Sequence, residues 1–379
     1  MTGATTKVSG PAALASAAVR QIAPYVIGKP IEELARELGV TDIVKLASNE
    51  NPLGPSARAR QAMQDALQDI WLYPDGNGHD LKLALARWHG VDMQQVTLGN
   101  GSNDLIMMLA EAWLTPGTNA VYSEHAFAIY GIAVQGTGAA GHATRPHPSS
   151  HAMAFGHDLE AMAAAVDADT RLVYIANPNN PTGTWNTAEE LQRFLKRVPE
   201  TTLVVLDEAY HEYSQLVGCP DGTQWLADHP NLVVLRTFSK AHGLAGVRVG
   251  YGLSHPQVAD LLNRVRQPFN VGIPGLAAAT ASVGDTEQIA RAQQLVREGL
   301  AQFQSSLPQL GVHIHPTAGN FILADVGSNG TAVYELLLRE GVIVRPVAGY
   351  GLPRCVRITI GTAQQNERLI TALSRVLGK

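Results

Sequence analysis

The middle of the chain alternates short apolar runs with longer amphipathic stretches. Three runs have the length of a strand and occupy residues 171–176, 203–206 and 232–235. After Thr187, the residues Leu191, Phe194 and Leu195 recur on one face, which predicts a helix. Short apolar strands separated by helices predict a mainly parallel β-sheet with helices on both faces. We therefore expect an α/β fold, with ligands bound beyond the carboxyl ends of the strands.

A glycine-rich turn at residues 99–103 leads into another amphipathic stretch. We expect Asn103 or Asp104 to cap a helix that runs through Trp113 and stops at Pro116. A turn that opens a helix presents free backbone N–H groups at the positive end of the helix dipole, where phosphate binds well. On its own, such a turn is also explained by a simple change of chain direction.

The pattern changes from about residue 274 onward. Longer helical stretches alternate there with short apolar strands near residues 321–323, 342–344 and 356–358. This pattern predicts a second, smaller α+β domain. We expect an N-terminal arm that belongs to the small domain, a large domain and a C-terminal small domain, at residues 1–45, 46–275 and 276–379.

Composition narrows the functional classes. The 379 residues are 45% hydrophobic and 16% charged, with a formal net charge of −5 and no basic tract, so we expect no nucleic-acid partner. No stretch approaches the roughly 18 apolar residues of a membrane span. The two cysteines, Cys219 and Cys355, suit a reducing compartment and predict no metal site of cysteine type. Because Pro11 interrupts the apolar N-terminal run and no strongly basic leader is present, we expect a cytoplasmic protein.

Lys240 closely follows an apolar strand, within a run of small and hydroxyl-bearing residues. Most lysines are protonated surface charges, but a buried lysine can lose its proton near neutral pH and attack an aldehyde. The neighbouring Thr237, Ser239 and Arg248 offer hydrogen-bond donors for a phosphate. Lysine and donors together suit pyridoxal phosphate, which carries both an aldehyde and a phosphate.

Asp207 ends the strand at residues 203–206. A carboxylate there is partly buried and needs a cation, and the protonated ring nitrogen of pyridoxal phosphate is such a cation. The same strand resembles the Walker B strand of an ATPase, but the chain has no Gly-Lys-Ser or Gly-Lys-Thr to complete a P-loop. Tyr210 is either a hydrogen-bond partner of the ring hydroxyl or a core tyrosine.

Two further residues suit the cofactor ring. Asn180, in the Pro- and Gly-rich loop at residues 177–183, is a neutral donor for the ring oxygen, although such a loop also simply ends a strand. Phe127 either stacks on the ring or packs in the core.

Taken together, residues 25–361 resemble the fold-type-I pyridoxal-phosphate-dependent aminotransferases. Within that superfamily, the chain is most similar to the histidinol-phosphate aminotransferase family. The motifs that carry the resemblance lie at residues 23–25, 47–54, 73–76, 177–183, 207–210, 237–248, 349–353 and 356–362. The resemblance implies an α/β transferase fold, with a large sheet between helices and a smaller α+β domain.

The resemblance also implies roles for individual residues. The implied catalytic residues are Lys240, which binds the aldehyde and moves a proton, Asp207 and Tyr210. The implied cofactor site comprises Tyr73, Gly101, Ser102, Asn103, Phe127, Asn180, Asp207, Tyr210, Thr237, Ser239, Lys240 and Arg248. The implied substrate site comprises Tyr25, Asn49, Asn320, Arg345 and Arg357, with Arg357 on the α-carboxylate of the amino donor. Tyr73 is expected to reach the cofactor phosphate of a second subunit, which implies an obligate homodimer.

The implied reaction is amino transfer between the pairs L-glutamate/2-oxoglutarate and histidinol phosphate/imidazole acetol phosphate, in histidine biosynthesis. Three alternatives stay open. They are an aromatic amino acid aminotransferase, a pyridoxal-phosphate-dependent decarboxylase of a phosphorylated amino acid, and a regulator that uses this fold as an effector sensor. The target of Arg266, near a possible pocket loop, is not fixed by the sequence.

Overall fold

The computed structural model describes residues 10–379. Within them lie thirteen strands: β1 (Val44–Lys45), β2 (Val96–Gly99), β3 (Asn119–Ser123), β4 (Ala140–Thr144), β5 (Thr170–Ala176), β6 (Leu203–Asp207), β7 (Leu232–Thr237), β8 (Gly250–Ser254), β9 (His313–Ile314), β10 (Phe321–Asp325), β11 (Val342–Ile343), β12 (Arg345–Pro346) and β13 (Cys355–Thr359).

Fourteen α-helices lie in the same range: α1 (Ala17–Arg20), α2 (Ile31–Leu38), α3 (Ala57–Ala66), α4 (His79–His89), α5 (Ser102–Trp113), α6 (Ile129–Gly136), α7 (Leu159–Ala164), α8 (Ala188–Arg197), α9 (His211–Ser214), α10 (Pro256–Val265), α11 (Ile273–Ser282), α12 (Thr286–Ser306), α13 (Gly330–Arg339) and α14 (Ala363–Leu377). None of these helices is both long enough and apolar enough to cross a bilayer.

Seven strands form the main sheet, in the order β2-β8-β7-β6-β5-β3-β4. β8 runs antiparallel to both of its neighbours, and the other pairs are parallel. Alternate residues of β5 enter different cores: Val173 and Ile175 pack on one face, while Leu172 and Tyr174 pack on the other. Burial on both faces explains the continuous apolar runs in the sequence. The predicted α/β fold is confirmed.

The C-terminal strands form a smaller antiparallel sheet in the order β12-β13-β10-β9. Its core includes Phe321, Ile358 and Leu369, which are fully buried. The N-terminal segment meets this region because β1 pairs in parallel with β11. That pairing is consistent with an N-terminal arm in the small domain. The domain boundaries stay a prediction: residues 1–9 lie outside the described range, and the boundary at 275/276 falls inside α11.

Two helix starts show how local chemistry sets the boundaries. The helix expected after Thr187 is α8, and Thr187 caps it, because its side chain accepts a hydrogen bond from the backbone N–H of Glu190. The prediction that Asn103 or Asp104 caps α5 was wrong, since the helix already begins at Ser102. Asp104 instead accepts a 2.8 Å hydrogen bond from the backbone N–H of Asn100 and so fixes the turn before the helix.

Candidate active site

A cavity of about 360 Å³ lies at the carboxyl ends of β5, β6 and β7. Its position follows from topology, because parallel strands end at the same sheet edge. Fourteen of the residues predicted from the sequence line it: Tyr25, Asn49, Ser102, Asn103, Phe127, Asn180, Asp207, Tyr210, Thr237, Ser239, Lys240, Arg248, Arg345 and Arg357. Residues far apart in the sequence therefore converge on one space.

Lys240 follows β7 after two residues and reaches into the cavity. Its Nζ donates a 3.2 Å hydrogen bond to the backbone oxygen of Ser48 and lies 5.5 Å from the centre of the Tyr210 ring. Burial, and then the positive charge of Arg357, lower the pKa of Lys240 to about 7. A substantial fraction of this amine is therefore neutral near neutral pH, which a nucleophilic or basic lysine requires.

Asp207 is the last residue of β6 and is 6% exposed. Its carboxylate accepts hydrogen bonds from the Tyr130 hydroxyl, at 2.7 Å, and from the backbone N–H of Ala209, at 3.1 Å. Burial raises the pKa of Asp207 to about 6. Both donors are neutral, so the carboxylate presents an incompletely compensated negative charge to the cavity, where a cation would be stabilised.

Hydrogen-bond donors converge at the N-terminus of α5. Gly101 has a φ of +81°, and a Cβ at that position would collide with the guanidinium of Arg248. Nη1 of Arg248 donates a 3.3 Å hydrogen bond to Oγ of Ser239. The hydroxyl of Thr237 is 3.0 Å from the same oxygen. This close packing brings the N-terminus of α5, two hydroxyls and a guanidinium around one point, which suits a phosphate.

Arg266 stabilises that turn indirectly. Its Nη1 donates a 2.9 Å hydrogen bond to Asn270, whose amide in turn donates to Asp104 at 2.8 Å. Asp104 in turn holds the backbone of Asn100, so Arg266 stabilises the turn at residues 99–103 without contacting the cavity. Arg266 does not line the cavity.

Asn49, Tyr210 and Asn180 are polar side chains that line the cavity together with Lys240 and the arginines. The amide nitrogen of Asn49 donates a 2.8 Å hydrogen bond to the hydroxyl of Tyr210, and burial raises the pKa of Tyr210 to about 12. The hydroxyl therefore stays protonated and can donate. Asn180 accepts a 2.6 Å hydrogen bond from Arg357 through its carbonyl oxygen, so its amide N–H groups remain available as donors.

Two arginines form the opposite edge of the cavity. Arg345 on β12 and Arg357 on β13 are direct partners in the antiparallel register. Arg357 also donates to the backbone oxygen of Ala47, and its buried Nε has no hydrogen-bond partner within residues 10–379. The guanidinium of Arg345 lies 5.6 Å from the centre of the Tyr25 ring. This edge can bind two anionic groups of a substrate.

Three residues predicted for the site do not line this cavity. Gly101 lies behind Arg248, as described above. Asn320 is buried behind Asn49 and donates a 3.0 Å hydrogen bond to its backbone oxygen. Tyr73 is 81% exposed and stacks on Phe269, with the ring centres 4.8 Å apart. In this chain, Tyr73 therefore points to solvent.

Sequence reasoning missed two contacts. Tyr130 donates to Asp207 and lines the cavity, and Ser48 supplies the backbone oxygen that Lys240 contacts. A weak signal existed for Tyr130, because it follows Phe127 by three residues near the start of α6 and their rings pack edge to face. No local pattern identifies Ser48, whose contribution is a backbone atom.

The chemistry of this site fits pyridoxal phosphate on three independent points. A lysine with a depressed pKa suits the aldehyde, a buried carboxylate with only neutral partners suits the ring nitrogen, and the donors around Arg248 suit the phosphate.

Comparison with known proteins agrees with this chemistry. A family described as "Aminotransferase class I and II" matches residues 41–373. The chain is 55% identical to histidinol-phosphate aminotransferase 2 of Pseudomonas aeruginosa, over 96% of this chain and 98% of the relative. It is also 55% identical to histidinol-phosphate aminotransferase 1 of Thiobacillus denitrificans, over 97% of this chain and 94% of that relative.

A solved structure gives the same result. The crystal structure of histidinol-phosphate aminotransferase from Sinorhizobium meliloti, in complex with pyridoxal-5'-phosphate, matches with a TM-score of 0.87 and 32% identity, covering 96% of this chain and 97% of that chain. The chain belongs to the class I and II aminotransferases, enzymes that use pyridoxal phosphate, and within them to the histidinol-phosphate aminotransferase family. The relatives named here do not favour the aromatic aminotransferase, decarboxylase or regulator alternatives.

Proposed function

We propose that this enzyme transfers an amino group between histidinol phosphate and 2-oxoglutarate, as a step of histidine biosynthesis. The observation that carries the proposal is that the Lys240 amine shares one cavity with the carboxylate of Asp207 and with two arginines, Arg345 and Arg357. The relatives that are 55% identical bear the name of this reaction.

Each wall of the cavity would bind one part of pyridoxal phosphate. The N-terminus of α5, with Ser239 and Arg248, would hold the phosphate, and Asp207 would pair with the ring nitrogen. Asn180 and Tyr210 would donate to the ring oxygen, and Phe127 would pack on the ring. When bound, the cofactor supplies an electron sink for negative charge at the substrate α-carbon.

Lys240 would bind the aldehyde and, once displaced by the substrate, act as the base. Its neutral amine would take the proton from the substrate α-carbon, and a positioned base of this kind typically contributes about 10²–10⁴ in rate. The pKa of about 7 supports this role, because the amine is neither fully protonated nor weakly basic at neutral pH.

The arginine edge would decide which substrates bind. Arg357 would hold the α-carboxylate of glutamate in one half-reaction. Arg345, with Tyr25, would meet the phosphate of histidinol phosphate in the other. Asn49 would orient Tyr210 from behind, and Asn320 would in turn fix the backbone of Asn49.

A panel of single half-reactions tests the proposal. The bound cofactor's absorbance is followed after addition of L-glutamate, histidinol phosphate, histidinol or phenylalanine. Glutamate and histidinol phosphate should react, and histidinol should react about 10–100-fold less efficiently, because it lacks a charge-assisted contact of about 1.5–3 kcal/mol. Faster reaction with phenylalanine than with histidinol phosphate, or release of carbon dioxide, would contradict the assignment.

The proposal includes a homodimer in the cytoplasm. Phe269 stacks on Tyr73, and exposed apolar side chains precede Tyr73 closely in the sequence, namely Leu67, Ile70, Trp71 and Leu72. Such a ridge suits a subunit interface, through which Tyr73 would reach the phosphate site of the other subunit. The two cysteines are free thiols and buried, which supports a reducing compartment.

A further inference from the structure

A second cavity, of about 530 Å³, lies behind the segments that carry the catalytic residues. After β6, Asp207 and Tyr210 line the first cavity, whereas His211 and Glu212 line the second. After β7, Lys240 lines the first cavity, whereas His242 lines the second. Any molecule in the second cavity would therefore touch both catalytic segments from the opposite side.

One wall of the second cavity is apolar and aromatic. It is formed by Leu85, Trp88, Phe238, Tyr251, Val283 and Ile289. The cavity volume lies within the range of about 300–1,000 Å³ that is common for small-molecule sites, which combine apolar walls with a few convergent polar groups. The apolar wall suits a flat, apolar ligand body.

The polar wall carries excess negative charge. Arg236 is bound on one side by Glu208, at 2.7 Å, and by Asp221. Glu212, whose side chain is 11% exposed, lies 3.5 Å from the imidazole of His242. Burial opposes its ionisation, but the hydrogen bond with His242 and the nearby Arg236 outweigh burial and lower the pKa of Glu212 to about 2. His89 does not add a positive charge, because burial lowers its pKa to about 4. Glu212 is thus an ionised carboxylate at the cavity, and unlike Glu208 and Asp221 it has no ion pair with Arg236 within residues 10–379.

The imidazole of His242 points to the same ligand chemistry. Its side chain is 9% exposed, and Nε2 faces Glu212. When Nε2–H donates to Glu212, Nδ1 is an acceptor, and Nδ1 has no hydrogen-bond partner within residues 10–379. The carboxylate of Glu212 and Nδ1 of His242 then both offer acceptors to a ligand, and Nδ1 of His211 in the same wall also has no partner within residues 10–379. A buried carboxylate and a buried acceptor are best satisfied by a positively charged donor.

A metal ion is less well supported. Glu208, His211 and Asp221 place ligand atoms within 4.8 Å of one another, but Arg236 already donates to both carboxylates. A metal at that point would face the guanidinium directly. A single ion would also leave the apolar wall without a function.

We propose that the second cavity binds a small organic cation with a flat apolar body, such as an aryl amidinium or aryl amine, with the cation on Glu212 and the ring against Phe238 and Trp88. In the first cavity, the ring nitrogen of the bound cofactor would occupy the carboxylate of Asp207, which leaves Arg345 and Arg357 to disfavour a free cation there. The two cavities thus select ligands of opposite charge.

Benzamidine and benzamide test the proposal, because they share a shape and differ in charge. Binding of each to the holoenzyme is measured by titration calorimetry. Benzamidine should bind at least about tenfold more tightly, and Glu212→Gln should abolish that preference. The matched control Glu189→Gln, at a carboxylate with 85% side-chain exposure, should keep it. Unlike primary amines, benzamidine does not mimic the amino substrate.

A second variant keeps the test informative if Glu212→Gln is unstable. Trp88, which is 52% exposed, lies on the apolar wall. Trp88→Ala should weaken the binding of both benzamidine and benzamide while preserving the preference for benzamidine. Equal binding of the two compounds to the unmodified enzyme would overturn the proposal. If Zn²⁺ binds tightly, excludes benzamidine and no longer binds when His211 is replaced, the cavity is a metal site and the proposal of an organic cation is wrong.

Discussion

The hydroxyl of Tyr130 donates a 2.7 Å hydrogen bond to Oδ2 of Asp207, although the two residues are 77 positions apart. Tyr130 is fully buried and stacks on Tyr174, with the ring centres 4.7 Å apart and the planes 6° from parallel. Burial, and then the charge of Asp207, raise the pKa of Tyr130 well above 10, so this hydroxyl remains a donor. It stabilises the ionised form of the carboxylate.

Tyr130→Phe should therefore raise the pKa of Asp207, which burial has already raised to about 6. A hydrogen bond to a charged group contributes about 1.5–3 kcal/mol, equivalent to about 1–2 pH units. Affinity for pyridoxal phosphate should fall as Asp207 becomes protonated at low pH, and in Tyr130→Phe this fall should occur at a pH higher by that amount. Fluorescence titration of the apoenzyme with pyridoxal phosphate between pH 5 and 8 measures it. Tyr174→Phe is the control, because the hydroxyl of Tyr174 donates to a backbone oxygen at 3.4 Å. This variant should leave the pH dependence of the affinity unchanged.

The relation between Tyr130 and Asp207 also shows where sequence reasoning ends. The ends of β6 and β7 were predictable, because fully apolar runs identify buried strands and the first polar residue marks the edge of the sheet. That rule placed Asp207 and Lys240 at one edge. It does not state which helix covers the edge, so the contact from Tyr130 had no local signature.

Local geometry limited the prediction in a second way. The sequence indicated a turn at residues 99–103, but the first helical residue depended on the left-handed φ of Gly101. Propensity alone favoured Asn103 or Asp104 as the cap. The pairing of Arg345 with Arg357 was equally hidden, because cross-strand register follows from the packing of the whole small sheet.

Gly101→Ala should weaken binding of the cofactor phosphate specifically. The added Cβ would displace the guanidinium of Arg248, and the φ of +81° would add strain of about 1–2 kcal/mol. Affinity for pyridoxal phosphate should fall at least about tenfold, while affinity for pyridoxal, which lacks the phosphate, should change little. Gly117→Ala is a matched control, because Gly117 has a φ of +96° but open space around its Cβ position. Equal losses of affinity for both ligands would contradict the proposed role of Gly101 in phosphate binding.

Arg357→Ala should reduce kcat/KM for glutamate strongly. Loss of one partner of a buried charged pair costs about 2–5 kcal/mol, which corresponds to about 30–5,000-fold. The kcat/KM of Arg357→Lys for glutamate should lie between those of the native enzyme and Arg357→Ala, because lysine keeps the charge but loses the two-pronged geometry. Arg354→Ala, at an exposed arginine paired with Asp325, should have little effect. An unchanged KM for glutamate in Arg357→Ala would remove this residue from carboxylate binding.

Lys240→Met should stabilise the apoenzyme in a pH-dependent way. The pKa of Lys240 falls from 10.5 to about 7 on folding, mainly through burial, so between these pH values the unfolded chain binds more protons. The stability cost of Lys240 is therefore complete below about pH 7 and disappears as the pH approaches 10.5. The gain in Tm should be largest at pH 6 and shrink by pH 10, whereas Lys196→Met, at an exposed position, should show no such trend. A gain in Tm that is independent of pH would indicate that improved packing of the methionine, rather than removal of a buried charge, stabilises the variant.

Mixing two inactive variants tests whether Tyr73 acts across a subunit interface. Tyr73→Ala should lose cofactor phosphate binding, and Lys240→Ala should lose the amine. If the residues act on opposite sides of the interface, each mixed dimer contains one site with both native residues. Co-refolding equal amounts should then recover about a quarter of the native activity, since half of the dimers are mixed and each has one working site. If both residues served the same subunit's site, no mixed dimer would contain an intact site, and activity would not return.

The variant Phe269→Asp supplies a physical control for the subunit interface. A charge beside the exposed Tyr73 ring should shift the enzyme toward monomer, as measured by sedimentation, and should abolish the recovery of activity on mixing.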